Sequence, residues 1–232
     1  MTVIIGYINS NRNDIVSALY SDNLELKNDN SIKKVVDKII KIDDRYFIGS
    51  VGLGLTKLII NVWIKYFEDF QDAKKSFENI NQLTASIKEG INECITLWKI
   101  DNIINEAYLK EFGNHLSSLV ILDKKNNELF YVELGKILKG EIKMELQKLE
   151  KGTLYEFGIP ASINDKDYNM ESCSIFNRKG IDLLIKEKLR HIRSNIDADI
   201  GLLGSYFIRI NENEEFNSAF KNKGEIIKNY FK

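Results

Sequence analysis

The chain opens "MTVIIGYIN", which sets a threonine at position 2. A threonine hydroxyl is a weak nucleophile at neutral pH and needs a base beside it. Where threonine is the first residue of a chain, its own α-amino group can be that base, because its ordinary pKa is about 7.7–8.0. Three more residues of useful type follow: Asp22 in "LYSDN", Lys38 in "VVDKIIKIDD" and Gly52 closing "GSVG". Sixteen positions separate Asp22 from Lys38, and fourteen separate Lys38 from Gly52. An ammonium near a hydroxyl favours the alkoxide, and a carboxylate anchors an ammonium by a charge-assisted hydrogen bond. A glycine lets a main-chain N–H come close to a developing oxyanion. Each residue also has a plain structural reading. Thr2 fits a first strand, Asp22 a hairpin turn, Lys38 a solvent-facing strand edge and Gly52 the entry to a helix.

The elements that must position these residues follow from periodicity. "TVIIGYI" and "IVSALYSD" are β-branched and apolar runs joined by the polar "NSNRND", a hairpin with a loop. "KVVDKIIKI" and "RYFIGSVG" form a second strand pair, turning at "DD". The period then changes to helical. Leu58, Ile59, Val62, Trp63, Tyr66, Phe67 and Phe70 make one stripe, and Ile80, Leu83, Ile87, Ile91, Ile95 and Trp98 make another. Strands return at "LSSLVILD" and "ELFYVEL" around the turn "KKNN", and again at "TLYEFGI". A third helix is predicted from about Lys179 to Arg193, on Ile181, Leu184, Ile185, Leu189 and Ile192. The strand "SYFIRIN" follows, and then a polar tail ending in the short periodic "EIIKNYFK". Strands in blocks and helices in blocks argue for a layered α+β domain rather than a parallel βαβ sheet. Sheets packed between helices would bury their strands on both faces, which accounts for apolar runs in place of clean alternation.

Composition narrows the classes. The chain has 232 residues, 44% hydrophobic and 29% charged, enough to bury a large core. With 33 Lys and Arg against 34 Asp and Glu, the net charge of −1 gives no polyelectrolyte reason to expect nucleic acid or an anionic membrane. The single proline, Pro160, and the lack of any Ser/Gly-rich or single-charge tract argue for one domain over residues 1–232. Cys94 and Cys173 stand far apart and read as buried, reduced thiols. No charged segment followed by an apolar core marks a signal peptide, and "LIINVWI" is too short to span a bilayer. A cytoplasmic protein is the expectation. His115 and His191 lack partners at ligand spacing, so no metal is expected. "GLG" at Gly52 to Gly54 lacks the spacing of a dinucleotide loop, and no cofactor is expected. Trp63 and Trp98 lie on the apolar helical stripes and read as core.

Thr2, Asp22, Lys38 and "GSVG", at these intervals and in this element order, resemble the proteasome β-type subunits. That group includes the simpler bacterial heat-shock peptidase that works with a ring ATPase. These are N-terminal nucleophile hydrolases, and the resemblance implies their four-layer αββα sandwich. Both intervals match the family's spacing, while the gap from Thr2 to Asp22 is a few residues longer, which "NSNRND" can absorb. The resemblance implies Thr2 as nucleophile and base once Met1 is removed, Lys38 as electrostatic activator, Asp22 as its anchor and Gly52 as oxyanion donor. Methionine removal before a small second residue would expose Thr2 without a propeptide.

The resemblance also implies amide hydrolysis of peptides or unfolded proteins inside a homo-oligomeric ring, with a ring ATPase as a further partner. By the same resemblance Asp197 supports the site, with Asp199 a weaker candidate. Val36, Ile40, Ser50, Gly54 and Leu58 match the positions that line the substrate pocket. The chain departs from the family further on. "EFGIPAS" stands where a Gly-Ser-Gly turn is usual, leaving Ser162 as a loose candidate for the supporting serine. Ile200 stands where another serine is usual. The alternatives are a catalytically silent subunit kept for assembly or regulation, and an N-terminal-threonine amidase acting on small non-peptide amides.

Overall fold

A computed structural model of the chain describes residues 2–9, 15–22, 24–26, 33–35, 37–52, 77–100, 117–138, 141–158, 190 and 203–217. The first hairpin forms as its sequence requires. β1 (Ile4–Ile8) and β2 (Val16–Asp22) pair antiparallel, with Ile4 opposite Ser21 and Ile8 opposite Ser17. β3 (Leu24–Leu26) and β4 (Lys33–Val35) make a separate two-stranded sheet. β5 (Ile39–Lys41) and β6 (Tyr46–Val51) turn at "DD", where Asp43 Oδ1 accepts the N–H groups of Arg45 and Tyr46 at 2.8 and 2.7 Å.

The helix α1 (Ile80–Ile100) bears out the second helical stripe. Asn79 caps it, its Oδ1 accepting the Gln82 N–H at 3.0 Å. β7 (Ser117–Asp123) and β8 (Glu128–Leu138) turn through residues 124–127, with Asn127 at φ 51°. β9 (Glu141–Lys148), β10 (Leu154–Phe157), β11 (Leu203–Ile210) and β12 (Asn213–Asn217) complete the strands.

The strands gather into two five-stranded sheets, β10-β1-β2-β11-β12 and β5-β6-β7-β8-β9, with every pairing antiparallel. Side-chain alternation divides the second sheet between two cores. Ile40, Tyr46, Ile48, Leu119, Ile121, Phe130 and Val132 meet Leu83, Ile87, Ile91 and Cys94 of α1. Their neighbours Ile39, Phe47, Val120, Leu122 and Leu129 meet Ile4, Ile8, Leu19 and Phe207 of the first sheet. One sheet is therefore buried on both faces, which is why its strands are apolar throughout. The sheets approach closely at Gly6, where a Cβ would lie 2.7 Å from Leu129 Cδ2. The outer face of the first sheet is buried too, with Ile5, Ala18 and Tyr20 each 1% exposed.

Several strands depart from expectation. β12 forms inside the stretch read as a polar tail, because an antiparallel ladder to β11 satisfies its backbone whatever its side chains. β9 is not among the expected strands, although its Ile142, Met144 and Leu146 alternate with polar residues; it pairs with β8 along the edge of the second sheet. "KVVDKIIKI" is not one strand: the ladder breaks at Asp37 and Lys38, and β4 and β5 join different sheets. The helices read at 58–70 and 179–193, and the periodic end "EIIKNYFK", lie outside the described residues, except that Arg190 is helical. Among the described residues no helix is long and apolar enough to cross a membrane.

Candidate active site

β1 runs between β2 and β10, so the backbone leading back to Thr2 is flanked on both sides. On one side the β1–β2 ladder continues past Ile4. The Asp22 N–H donates to the Val3 carbonyl at 3.1 Å, and the Val3 N–H donates to Asp22 Oδ1 at 2.8 Å. Lys38 Nζ donates to that same oxygen at 2.6 Å. Asp22 is 0% and Lys38 3% exposed, so an ion pair is held inside the protein, one residue from the threonine. Charge-assisted hydrogen bonds of this kind are the strong ones, and removing one partner of a buried pair costs about 3–5 kcal/mol. The solvent-edge reading of Lys38 does not hold, and neither does the hairpin-turn reading of Asp22, which is a residue of β2 paired with Leu203. Asp37, beside the lysine, is also buried, at 1% exposure.

On the other side Gly158 ends β10 at φ +82°, a conformation that L side chains rarely adopt. A Cβ there would fall 1.9 Å from the Thr2 carbonyl oxygen and 2.9 Å from Val51 Cγ1. The glycine is thus required twice, by its own backbone and by the threonine it presses against. Thr2 itself is half-buried. Gly52 follows β6 at φ 108° and is exposed. The Ser50 N–H donates to the Lys38 carbonyl at 3.4 Å, linking the strand that leads to Gly52 with the lysine.

Of the pocket candidates, Ile40 and Ser50 are buried, at 4% and 8% exposure. Ile40 stands opposite Ile48 and belongs to the core under α1, and Ser50 is two positions along the same strand face. Val36, Gly54 and Leu58 lie outside the described residues, as do Asp197, Asp199, Ile200, Ser162, Trp63, His115, His191 and Cys173.

Two serines that the sequence left unmarked also meet here. Ser205 Oγ accepts the N–H groups of Lys38 and Ile39, both at 3.0 Å, and lies 3.1 Å from Ser21 Oγ. Ser205 is 0% and Ser21 2% exposed. The only signal in the sequence was a "GS" pair opening an apolar strand, which any loop end can carry. Gly158 was visible within "EFGIP", but nothing there showed that it faces residue 2.

No protein-family model matches this chain, and no curated protein does. Solved structures do match along nearly its whole length. Anbu (ancestral beta-subunit) from Yersinia bercovieri aligns over 99% of this chain and 93% of that one, with a TM-score of 0.54 and 13% identity. An Anbu (Gly-1) mutant from Hyphomicrobium sp. strain MC1 aligns over 100% and 94%, with a TM-score of 0.52 and 11% identity. Sequence identity this low carries the fold and not the chemistry: the chain has the proteasome-like, two-sheet architecture of the Anbu subunits.

Proposed function

We propose that the chain is a threonine-type N-terminal nucleophile hydrolase that cleaves peptide bonds within a ring-shaped homo-oligomer. The observation that carries the reading is the shared oxygen of Asp22, which takes both the Lys38 ammonium at 2.6 Å and the N–H of the residue after Thr2 at 2.8 Å. That oxygen ties the lysine to the backbone of the candidate nucleophile. With Met1 removed, Thr2 Oγ attacks the carbonyl carbon of the substrate while its proton passes to the Thr2 α-amine. Lys38 stabilises the developing alkoxide and favours the neutral amine, and Asp22 holds Lys38 in place. The Gly52 N–H donates to the oxyanion. The amine returns the proton to the leaving nitrogen as the C–N bond breaks, leaving an ester on Thr2 that water releases.

The reading includes one domain over residues 1–232 and a four-layer αββα sandwich. Burial of Ile5, Ala18 and Tyr20 on the outer face of the first sheet supports a covering layer there. The Yersinia bercovieri neighbour, named an ancestral beta-subunit, supports assembly into an oligomer. The substrate pocket, with Ile40 and Ser50 among its positions, and the support of Asp197 belong to the same reading.

The test is the intact mass of the purified protein before and after an epoxyketone or β-lactone that acylates or alkylates N-terminal threonine. Loss of the methionine mass and one adduct per chain, absent in Thr2→Ala, is the expected result. A chain that keeps Met1 and takes up no label overturns the hydrolase and leaves a silent assembly subunit. Labelled protein that turns over small amides but no peptide identifies the small-molecule amidase instead.

A further inference from the structure

The ladder between β11 and β2 slips by one residue at a defined place. Leu203 stands opposite Asp22, yet Tyr206 stands opposite Tyr20, so Gly204 and Ser205 together face Ser21. This is a β-bulge, and bulges re-aim a side chain that a regular ladder would place elsewhere. Here the bulge turns Ser205 Oγ onto two consecutive main-chain N–H groups, those of Lys38 and Ile39, each at 3.0 Å. The strand breaks at that point, and the hydroxyl accepts two main-chain donors of residues that are 3% and 1% exposed.

The protons close without remainder. A serine hydroxyl has two lone pairs and one hydrogen. The two N–H groups occupy the lone pairs of Ser205 Oγ, so its hydrogen is directed to Ser21 Oγ at 3.1 Å. Ser21 Oγ in turn donates to the Ser205 carbonyl at 3.1 Å. Ser21 immediately precedes Asp22, and Ser205 holds the main chain of Lys38. The serine pair therefore joins the backbones of the two residues whose side chains form the buried ion pair.

We infer that Ser205, with Ser21 as its anchor, is a positioning residue that holds the Lys38 main chain so that its ammonium stays on Asp22 beside Thr2. The effect on rate rests on the threonine-hydrolase reading; the hold on Lys38 does not. A small displacement of a group near the reacting atoms is enough to lower a rate about 100-fold. Loss of the Ser205 hydroxyl removes the acceptor shared by two adjacent buried donors, which loosens the segment from Asp37 to Ile39.

The experiment measures two things in the full chain: amide hydrogen exchange at Lys38 and Ile39, and the rate of epoxyketone labelling at Thr2 across pH. In Ser205→Ala, exchange at both amides rises roughly tenfold or more while the β7 and β8 amides stay protected. Labelling slows about 10- to 100-fold, and the midpoint of its pH profile moves, because a misplaced ammonium no longer lowers the amine pKa. Ser21→Ala shifts both readouts in the same direction by less. A folded Ser205→Ala protein with unchanged exchange and unchanged labelling overturns the inference. Where Ser205→Ala does not fold, Ser21→Ala decides by the same two readouts, and no change in either overturns it. If the wild-type chain takes no label, the hydrolase reading fails, while the exchange measurement still tests the hold on Lys38.

Discussion

Lys38 and Asp22 lie sixteen residues apart in the chain and 2.6 Å apart in the fold, and the pair has almost no contact with solvent. They come from the linker between two sheets and from the end of a central strand, so the contact depends on tertiary structure alone. Desolvating both charges costs free energy that good geometry only partly offsets. A pair of this kind is poor evidence for stability and better evidence for a site that needs a fixed cation.

Removal of one partner should therefore cost more than removal of both. Lys38→Met leaves the Asp22 carboxylate buried without its ammonium, with an expected loss of about 3–5 kcal/mol. Lys38→Met combined with Asp22→Leu should recover part of that loss in urea denaturation, yet show no labelling of Thr2. A double variant no more stable than Lys38→Met would mean that the pair itself is not what the single change disrupts.

Gly158→Ala tests the opposite flank of the threonine. The new Cβ would sit 1.9 Å from the Thr2 carbonyl oxygen, at a backbone φ of +82°. Strain and overpacking together are expected to cost about 1–3 kcal/mol or more. Epoxyketone labelling should fall further than the Tm shift alone explains, because the displaced group is Thr2 itself. Labelling at the wild-type rate in a folded Gly158→Ala protein would remove Gly158 from the site.

Cys94, on α1, gives a pH prediction. Burial, and then the charge of Glu93, push its thiol from an ordinary value of 9.0 up to about 11. The folded state therefore keeps a proton that the unfolded state releases. The stabilisation is complete below pH 9 and is lost as pH rises toward 11. Burial raises the Tyr46 hydroxyl as well, and Asp123 adds to the shift. Cys94→Ala should flatten the decline of Tm over that range. In a Cys173→Ser background, iodoacetamide should react with Cys94 only near the upper end. Rapid alkylation at pH 8 would contradict the burial.

Gly6 tests how closely the sheets pack. Gly6→Ala brings a Cβ within 2.7 Å of Leu129 Cδ2, and Leu129 is 0% exposed. The expected cost is about 1–3 kcal/mol. Leu129→Ala should be less damaging in the Gly6→Ala background than alone, a non-additivity that chemical denaturation of the four proteins measures directly. Strict additivity would show that the two positions do not share the contact.

Local pattern alone determined much of this protein. Alternation and β-branching located the β1–β2 hairpin and the turns at "DD" and "KKNN", and helical spacing located α1, because those signals act over a few residues. Residue type and interval also singled out Thr2, Asp22, Lys38 and Gly52. Only the tertiary structure decided what surrounds them. β12 is a polar strand made by pairing, which no periodicity announces, whereas the alternation of Ile142, Met144 and Leu146 with polar residues does mark β9. The break at Lys38, the bulge that aims Ser205 and the press of Gly158 on Thr2 arise between segments more than a hundred residues apart. Their physical cause is the burial of backbone donors and charges, which find partners across the fold and not along the chain.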